Sequence, residues 1–138
     1  MLMVVFDPEV QHRIMICVTP QKSCKRLIER GAARAQEMAG QFVVTYVNNK
    51  HDLNKELKEH KLLLELFETA KSLGGNVSIL SGENIYETLA RFSKVNKISY
   101  IVVGKSLRSA FEIQKHGEII NPLIEAVKKN GIFVEVVD

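Results

Sequence analysis

Gly104-Lys105-Ser106 invites a chemical reading first, because Gly-Lys-Ser ends the loop that cradles nucleotide phosphates in P-loop proteins. A P-loop also needs a glycine five residues earlier and a helix opening at the lysine. Position 99 is Ser, and no glycine follows Gly104 until Gly117. No aspartate stands on a neighbouring strand to hold Mg²⁺. The P-loop pattern is therefore absent. What remains is a basic loop: Lys105, Arg108, Lys115 and His116 set against one acid, Glu112, with hydroxyls at Ser106 and Ser109. Such a loop suits phosphate, since Lys and Arg make charge-assisted hydrogen bonds and Gly104 lets the backbone come close to a ligand. A solvated basic loop is the plain alternative.

A second polar cluster is Thr19-Pro20-Gln21-Lys22-Ser23-Cys24-Lys25-Arg26. Thr19, Gln21 and Ser23 bring neutral donors and acceptors, and Lys22, Lys25 and Arg26 bring charge. No acid lies here to repel an anion. Phe42 and Tyr46 add aromatic faces for packing or for stacking on a base, and Tyr46, nearer the end of its segment, is the better ligand candidate. Catalytic patterns are missing: there is no nucleophile elbow, no Cys/His pair at a loop tip and no paired carboxylates. Glu83, Glu87, Glu112, Glu118 and Glu125 fall on expected solvated helix or loop faces. No zinc-type spacing joins Cys17, Cys24 and the four histidines, so no metal site is expected and the cysteines read as buried filler.

The elements that must hold these residues follow from periodicity. Arg13–Val18, Phe42–Val47, Asn76–Leu80, Tyr100–Val103 and Ile132–Val137 are short apolar runs of strand type. Between them lie helical patterns: Ser23–Ala39, with Ser23 as N-cap and Gly40 as terminator, Leu53–Leu73 with a stripe of Leu57, Leu64, Phe67 and Ala70, a short helix opened by Ser81 and Gly82, and Ile119–Lys129. Pro122 falls in the first turn of that last helix, where a missing N–H costs little. Strict strand–helix alternation with all-apolar strands predicts an α/β fold: a five-stranded parallel sheet with helices on both faces. If the order is 3-2-1-4-5, the direction of winding reverses between strands one and four. Ligands bind outside the carboxyl ends of the strands at such a point, which Thr19–Ser23 and Gly104–Ser109 would border.

Bulk properties agree with one domain. The chain has 138 residues, 46% hydrophobic and 25% charged, with a net charge of +3. That charge is too mild to argue for nucleic acid. No apolar run approaches the roughly twenty residues that cross a bilayer. The apolar start lacks the basic flank and long core of a signal peptide. A cytoplasmic chain is expected, with residues 1–12 an N-terminal extension and 13–138 the domain.

The segments running from Arg13 to Val47 and from Gly82 to Ser109 resemble the universal stress protein domain of KdpD-type sensor histidine kinases, bacterial sensors of potassium and osmotic state. The most specific pieces are Arg26–Ala35 and Val102–Ser109. The resemblance implies the 3-2-1-4-5 sheet and a regulatory domain that binds an adenine nucleotide without turnover. The kinase chemistry would lie elsewhere in the parent protein, and a homodimer would form through strand five. In ATP-binding members the strand-four loop reads G-x-x-G-x9-G-[ST]. Gly104 and Gly117 match its first and third glycines, while Leu107 and Glu118 replace the second glycine and the hydroxyl residue. Some KdpD-type domains take cyclic di-AMP through Ser-x-Ser, about twenty residues, then Phe-Thr-Ala-x-Tyr. Thr19-Pro-Gln21 and Phe42-Val-Val-Thr-Tyr46 keep that spacing and both aromatics. The ligand residues implied are Thr19, Gln21, Ser23, Phe42, Tyr46, Gly104, Lys105, Ser106, Arg108, Ser109 and Gly117, the ligand being cyclic di-AMP or ATP. A ligand-free interaction module is the alternative.

Overall fold

The computed structural model describes residues 6–48, 57–105 and 119–137. Five parallel strands form one sheet: β1 (Arg13–Cys17), β2 (Gln41–Asn48), β3 (Asn76–Ser81), β4 (Tyr100–Gly104) and β5 (Phe133–Val137). Their order is β3-β2-β1-β4-β5, as predicted. Four helices alternate with them: α1 (Cys24–Glu37), α2 (Leu57–Ser72), α3 (Ile85–Val95) and α4 (Ile120–Lys128). The central strands are apolar on both faces because both faces are covered. One face packs Ile14, Ile16, Val44 and Val102 against α1 and α2. The other packs Met15, Val43, Ile101 and Val103 against α3 and α4.

Register follows from this double burial. Ile14 pairs with Phe42 and Tyr100, and Ile16 with Val44 and Val102, so like-facing side chains share a face across three strands. α1 lies so close to β1 that a Cβ at Gly31 would sit 2.2 Å from Ile16 Cδ1. Its buried stripe is Cys24, Leu27, Ile28, Gly31 and Ala35. Burying one side chain such as Ile28 stabilises the fold by roughly 1.5–3 kcal/mol.

Several helix ends differ from expectation. Ser23 is itself helical (φ −61°, ψ −20°) and its hydroxyl caps nothing. A tight turn replaces the cap: the N–H groups of Cys24, Lys25 and Arg26 donate to the carbonyls of Gln21, Lys22 and Ser23. At the other end Gly40 does not supply the left-handed residue. Ala39 does (φ 52°), while Gly40 N–H donates to Ala35 O at 2.7 Å. Gly40 is small for another reason: a Cβ there would meet His12 O at 2.3 Å. α3 is opened by Asn84, whose side chain accepts from Glu87 N–H, rather than by Ser81 and Gly82. In α2 the expected stripe is partly wrong. Leu64 is 60% exposed, and Leu63 and Leu66 are buried beside Phe67 and Ala70. The buried face runs Leu63, Leu66, Phe67, Ala70, an i, i+3, i+4, i+7 stripe that keeps Phe67 and Ala70 and leaves Leu64 outside it. The expected start of α2 at Leu53 lies outside the described residues.

β3 and β5 are the sheet edges. β5 is bound to α1 by ions. Glu135 accepts from Arg30 at 2.8 Å, from Arg34 Nε at 2.9 Å and from the Tyr100 hydroxyl at 2.5 Å. Arg34 also reaches Glu37. The Tyr100 and Phe133 rings lie 5.1 Å apart beneath this group. Ahead of β1, residues 6–12 cross the amino ends of the strands, and Phe6 is buried in the core on the α3/α4 side.

Candidate functional site

The carboxyl ends of β1 and β4 lie side by side at the reversal of winding. Ile16 pairs with Val102, so extending that register two residues brings Val18 level with Gly104. The turn after β1 therefore borders the start of the strand-four loop, as the topology required.

The β1 turn is tightly organised. Val18 N–H donates to Thr45 O at 2.9 Å, which ends the β1–β2 ladder. Gln21 N–H donates to Thr19 O at 2.7 Å. Thr19 N–H points at Cys24 Sγ (3.5 Å), with its hydroxyl 3.8 Å from the same sulfur. The N–H groups of Thr19, Gln21, Cys24, Lys25 and Arg26 are thus engaged internally. Side chains that could meet an anion here are the Thr19 hydroxyl, the Gln21 amide, the Ser23 hydroxyl and the exposed Lys22. α1 has no acid in its first turn, and Lys25 and Arg26 are exposed there. Cations at the positive end of a helix are unfavourable unless an anion offsets them, so this placement favours an anionic partner.

Below the turn lies a small apolar hollow of about 20 Å³, lined by Cys17, Val18, Thr19, Tyr46, Val47, Ile85, Leu89 and Ile119. It has room for about one water, several times less than a purine ring needs. Tyr46 is 7% exposed and joins Thr19 in this lining, so the structure unites these two sequence candidates. Beside them Thr45 is fully buried and donates to Ile16 O at 3.2 Å. Burial pushes the Cys17 thiol up to about 12, against the opposing hydrogen bond from Thr45, so this sulfur stays protonated and inert.

Gly104 closes β4 with its backbone facing Leu27, whose Cδ1 would lie 3.2 Å from an added Cβ. Lys105 N–H donates to Val137 O at 2.9 Å, and its side chain is exposed. Ser106, Arg108, Ser109 and Gly117, with Leu107 and Glu118, lie outside the described residues.

Phe42 does not join this group. It pairs with Ile14 at the amino end of β2, and its ring lies where a Cβ at Gly75 would fall. At 4% exposed it is core, and its spacing from Thr19 along the chain does not carry it to the ligand end of the sheet. Ile85, Leu89 and Ile119 were missed because they belong to helix starts distant in sequence. Their only signal was an apolar residue at or near the start of a helix that begins at the same end of the sheet. Among the described residues no group of three or more His, Cys, Asp or Glu is placed to hold a metal ion.

No family model matches the chain. It is 28% identical over 94 residues to the sensor protein KdpD of Clostridium acetobutylicum, covering 68% of this chain and 10% of that protein. It is 26% identical over 125 residues to a putative sensor protein KdpD of Synechocystis, covering 86% of this chain and 32% of that one. The chain thus spans between a tenth and a third of these relatives. Among solved structures it is similar to a universal stress protein in complex with cAMP, with TM-score 0.67 and 15% identity over 94% of this chain and 98% of that one. It is also similar to a universal stress protein of Archaeoglobus fulgidus in complex with dAMP, with TM-score 0.65 and 13% identity over 94% and 99%. The chain has the universal stress protein fold, and its sequence is similar to that of KdpD sensor proteins, in keeping with a universal stress protein domain of the KdpD type.

Proposed function

We propose that this chain is a cytoplasmic regulatory domain that binds an adenine nucleotide, cyclic di-AMP or ATP, without turning it over. Its bound state would bias the remainder of a histidine kinase that senses potassium or osmotic state. The observation that carries this reading is the junction of the Thr19–Ser23 turn, Tyr46 and the Gly104–Lys105 exit at the winding reversal, with cations and no acid at the start of α1. The complexes of similar folds with cAMP and dAMP support the adenine class. The absence of any catalytic pattern in the sequence supports binding without turnover.

Calorimetric titration with cyclic di-AMP, ATP and cAMP tests the reading, alongside phosphate release from ATP. Binding of at least one of them without phosphate release is expected. Arg108→Ala should weaken that binding at least tenfold, the loss of one charge-assisted phosphate contact. No heat with any of the three, on a protein with an intact cooperative melt, overturns it.

A second reading is an interaction module that has lost its ligand. The hollow of about 20 Å³, already filled by Ile85, Leu89 and Ile119, favours it, with Leu107 and Glu118 where the ATP-binding loop has glycine and a hydroxyl. Under either reading a second copy would pair along the β5 edge, where Phe133 and Val136 are exposed at 59% and 38%.

A further inference from the structure

Residues 6–12 form a short segment of unusual construction. Residues 7–9 and 11 are exposed, and the segment has one deeply buried apolar side chain, Phe6, at 6% exposed. The Arg13 guanidinium lies over the Phe6 ring, 4.8 Å from its centroid. The same guanidinium donates to Asn96 O at 2.9 Å, at the C-terminal end of α3. Between anchor and strand, Asp7-Pro8-Glu9-Val10 makes a turn closed by Val10 N–H on Asp7 O (3.1 Å) and Glu9 N–H on Asp7 Oδ1 (3.0 Å). Asp at the first and Pro at the second position preform such a turn. The segment's other ties are polar, exposed at Asp7 and part-buried at His12. Asp7 N–H donates to Gln41 Oε1 at 2.9 Å, Gln41 N–H donates to His12 O at 3.1 Å, and His12 Nδ1 lies 3.4 Å from Ser99 Oγ.

We propose that residues 6–12 are a releasable strap: Phe6 leaves its seat as a local event while the sheet and helices stay folded. The physical basis is the contrast on either side of His12. A preformed turn with one apolar anchor and few hydrogen bonds to the rest of the fold, exposed at Asp7 and part-buried at His12, opens more readily than β1, which is buried on both faces and paired on both sides. Release frees seven residues, so whatever precedes Phe6 moves its point of attachment by up to roughly 23 Å. It also uncovers the Phe6 seat beside the Arg13 cation. The strap thereby gives the domain two attachment geometries at the amino end of the sheet, opposite the candidate ligand end. The proposal does not rest on ligand binding.

Native-state hydrogen exchange on the whole chain tests it. The amides of Asp7, Glu9, Val10 and Gln41 should exchange at least tenfold faster than those of Val44 and Val102, and at rates that low urea leaves unchanged, because a local opening exposes little surface. Exchange of the strap amides together with Val44 and Val102, with the same urea dependence, overturns the proposal. In Phe6→Ala the strap amides should exchange at least tenfold faster than in the parent, with a cooperative melt retained. Strap amides unchanged in that variant, or a variant already unfolded at 25 °C, overturns it as well.

Discussion

Glu135 shows how one side chain unites three elements. It stands on the edge strand β5, yet accepts from two arginines of α1 and a tyrosine of β4. The Arg34 hydrogen bond, first, and the Tyr100 and Arg30 contacts hold its carboxyl below the usual range, against desolvation. In turn burial, then the Glu135 carboxylate, pushes the Tyr100 hydroxyl up. The sign for Glu135 is that of an acid with a lowered folded pKa. Its stabilisation is fully present above the unfolded value of about 4.3 and is lost as pH falls through the folded value. Glu135→Gln should lower stability by roughly 0.5–1 kcal/mol near pH 7, a figure held down by solvent reaching the arginines. Urea midpoints taken from pH 7 to pH 3 check this. The gap between parent and variant should be constant above pH 5 and narrow progressively as pH falls below about 4.3. A gap that does not narrow on acidification contradicts the assignment. None of this was legible in the sequence, where Glu135 read as one polar residue in an apolar strand.

At the level of elements, backbone geometry reverses the ordinary ranking of glycine and alanine at two positions. Gly31 sits mid-helix, where alanine is usually better by about 1 kcal/mol. Here α1 rests on Ile16, and an added Cβ would lie 2.2 Å from it. Gly31→Ala should therefore destabilise by about 1–3 kcal/mol, as overpacking does. Ala39 occupies the left-handed position that closes α1 (φ 52°), where glycine is free of strain. Ala39→Gly should stabilise by roughly 0.5–1 kcal/mol. Thermal or urea denaturation of the two variants reads both signs, and opposite signs would refute the packing account. Strand positions and helix alternation were readable in advance, because buried parallel strands must be apolar runs. The facing of α2 was not, since its row of leucines at 62–64 and 66 fits more than one stripe. Packing against β2 and β3 chose Leu63 and Leu66.

For the whole molecule, an open parallel sheet leaves two edges. β5 ends the sheet with Phe133 and Val136 exposed, and an exposed apolar edge pairs with another chain unless charges prevent it. Under the proposed dimer, Val136→Lys should convert the protein to a monomer in analytical ultracentrifugation. Its melting temperature, taken at low concentration, should change little. A parent chain that is monomeric at all concentrations removes the β5 dimer. The lone helix face or strand decides none of this, because an edge exists only once the order of strands is set.

Periodicity alone determined the α/β class and the parallel sheet, since alternating buried strands and amphipathic helices admit few right-handed windings. Thr19, Gln21 and Gly104 became candidates through the 3-2-1-4-5 order, which the family resemblance implied and the sheet has, because in that order the loops after strands one and four meet at the reversal. Tertiary packing decided which candidates share that place. Tyr46 and Thr19 line the same hollow, whereas Phe42, four residues before Tyr46 on the same strand, lies toward the opposite end, because a strand advances by about 3.3 Å per residue. Packing also decided how much room is left beneath the Thr19 turn. Ile85, Leu89 and Ile119 come from helix starts far apart in the chain and fill the hollow beneath the turn. Volume depends on the meeting of distant side chains, and no local pattern records it.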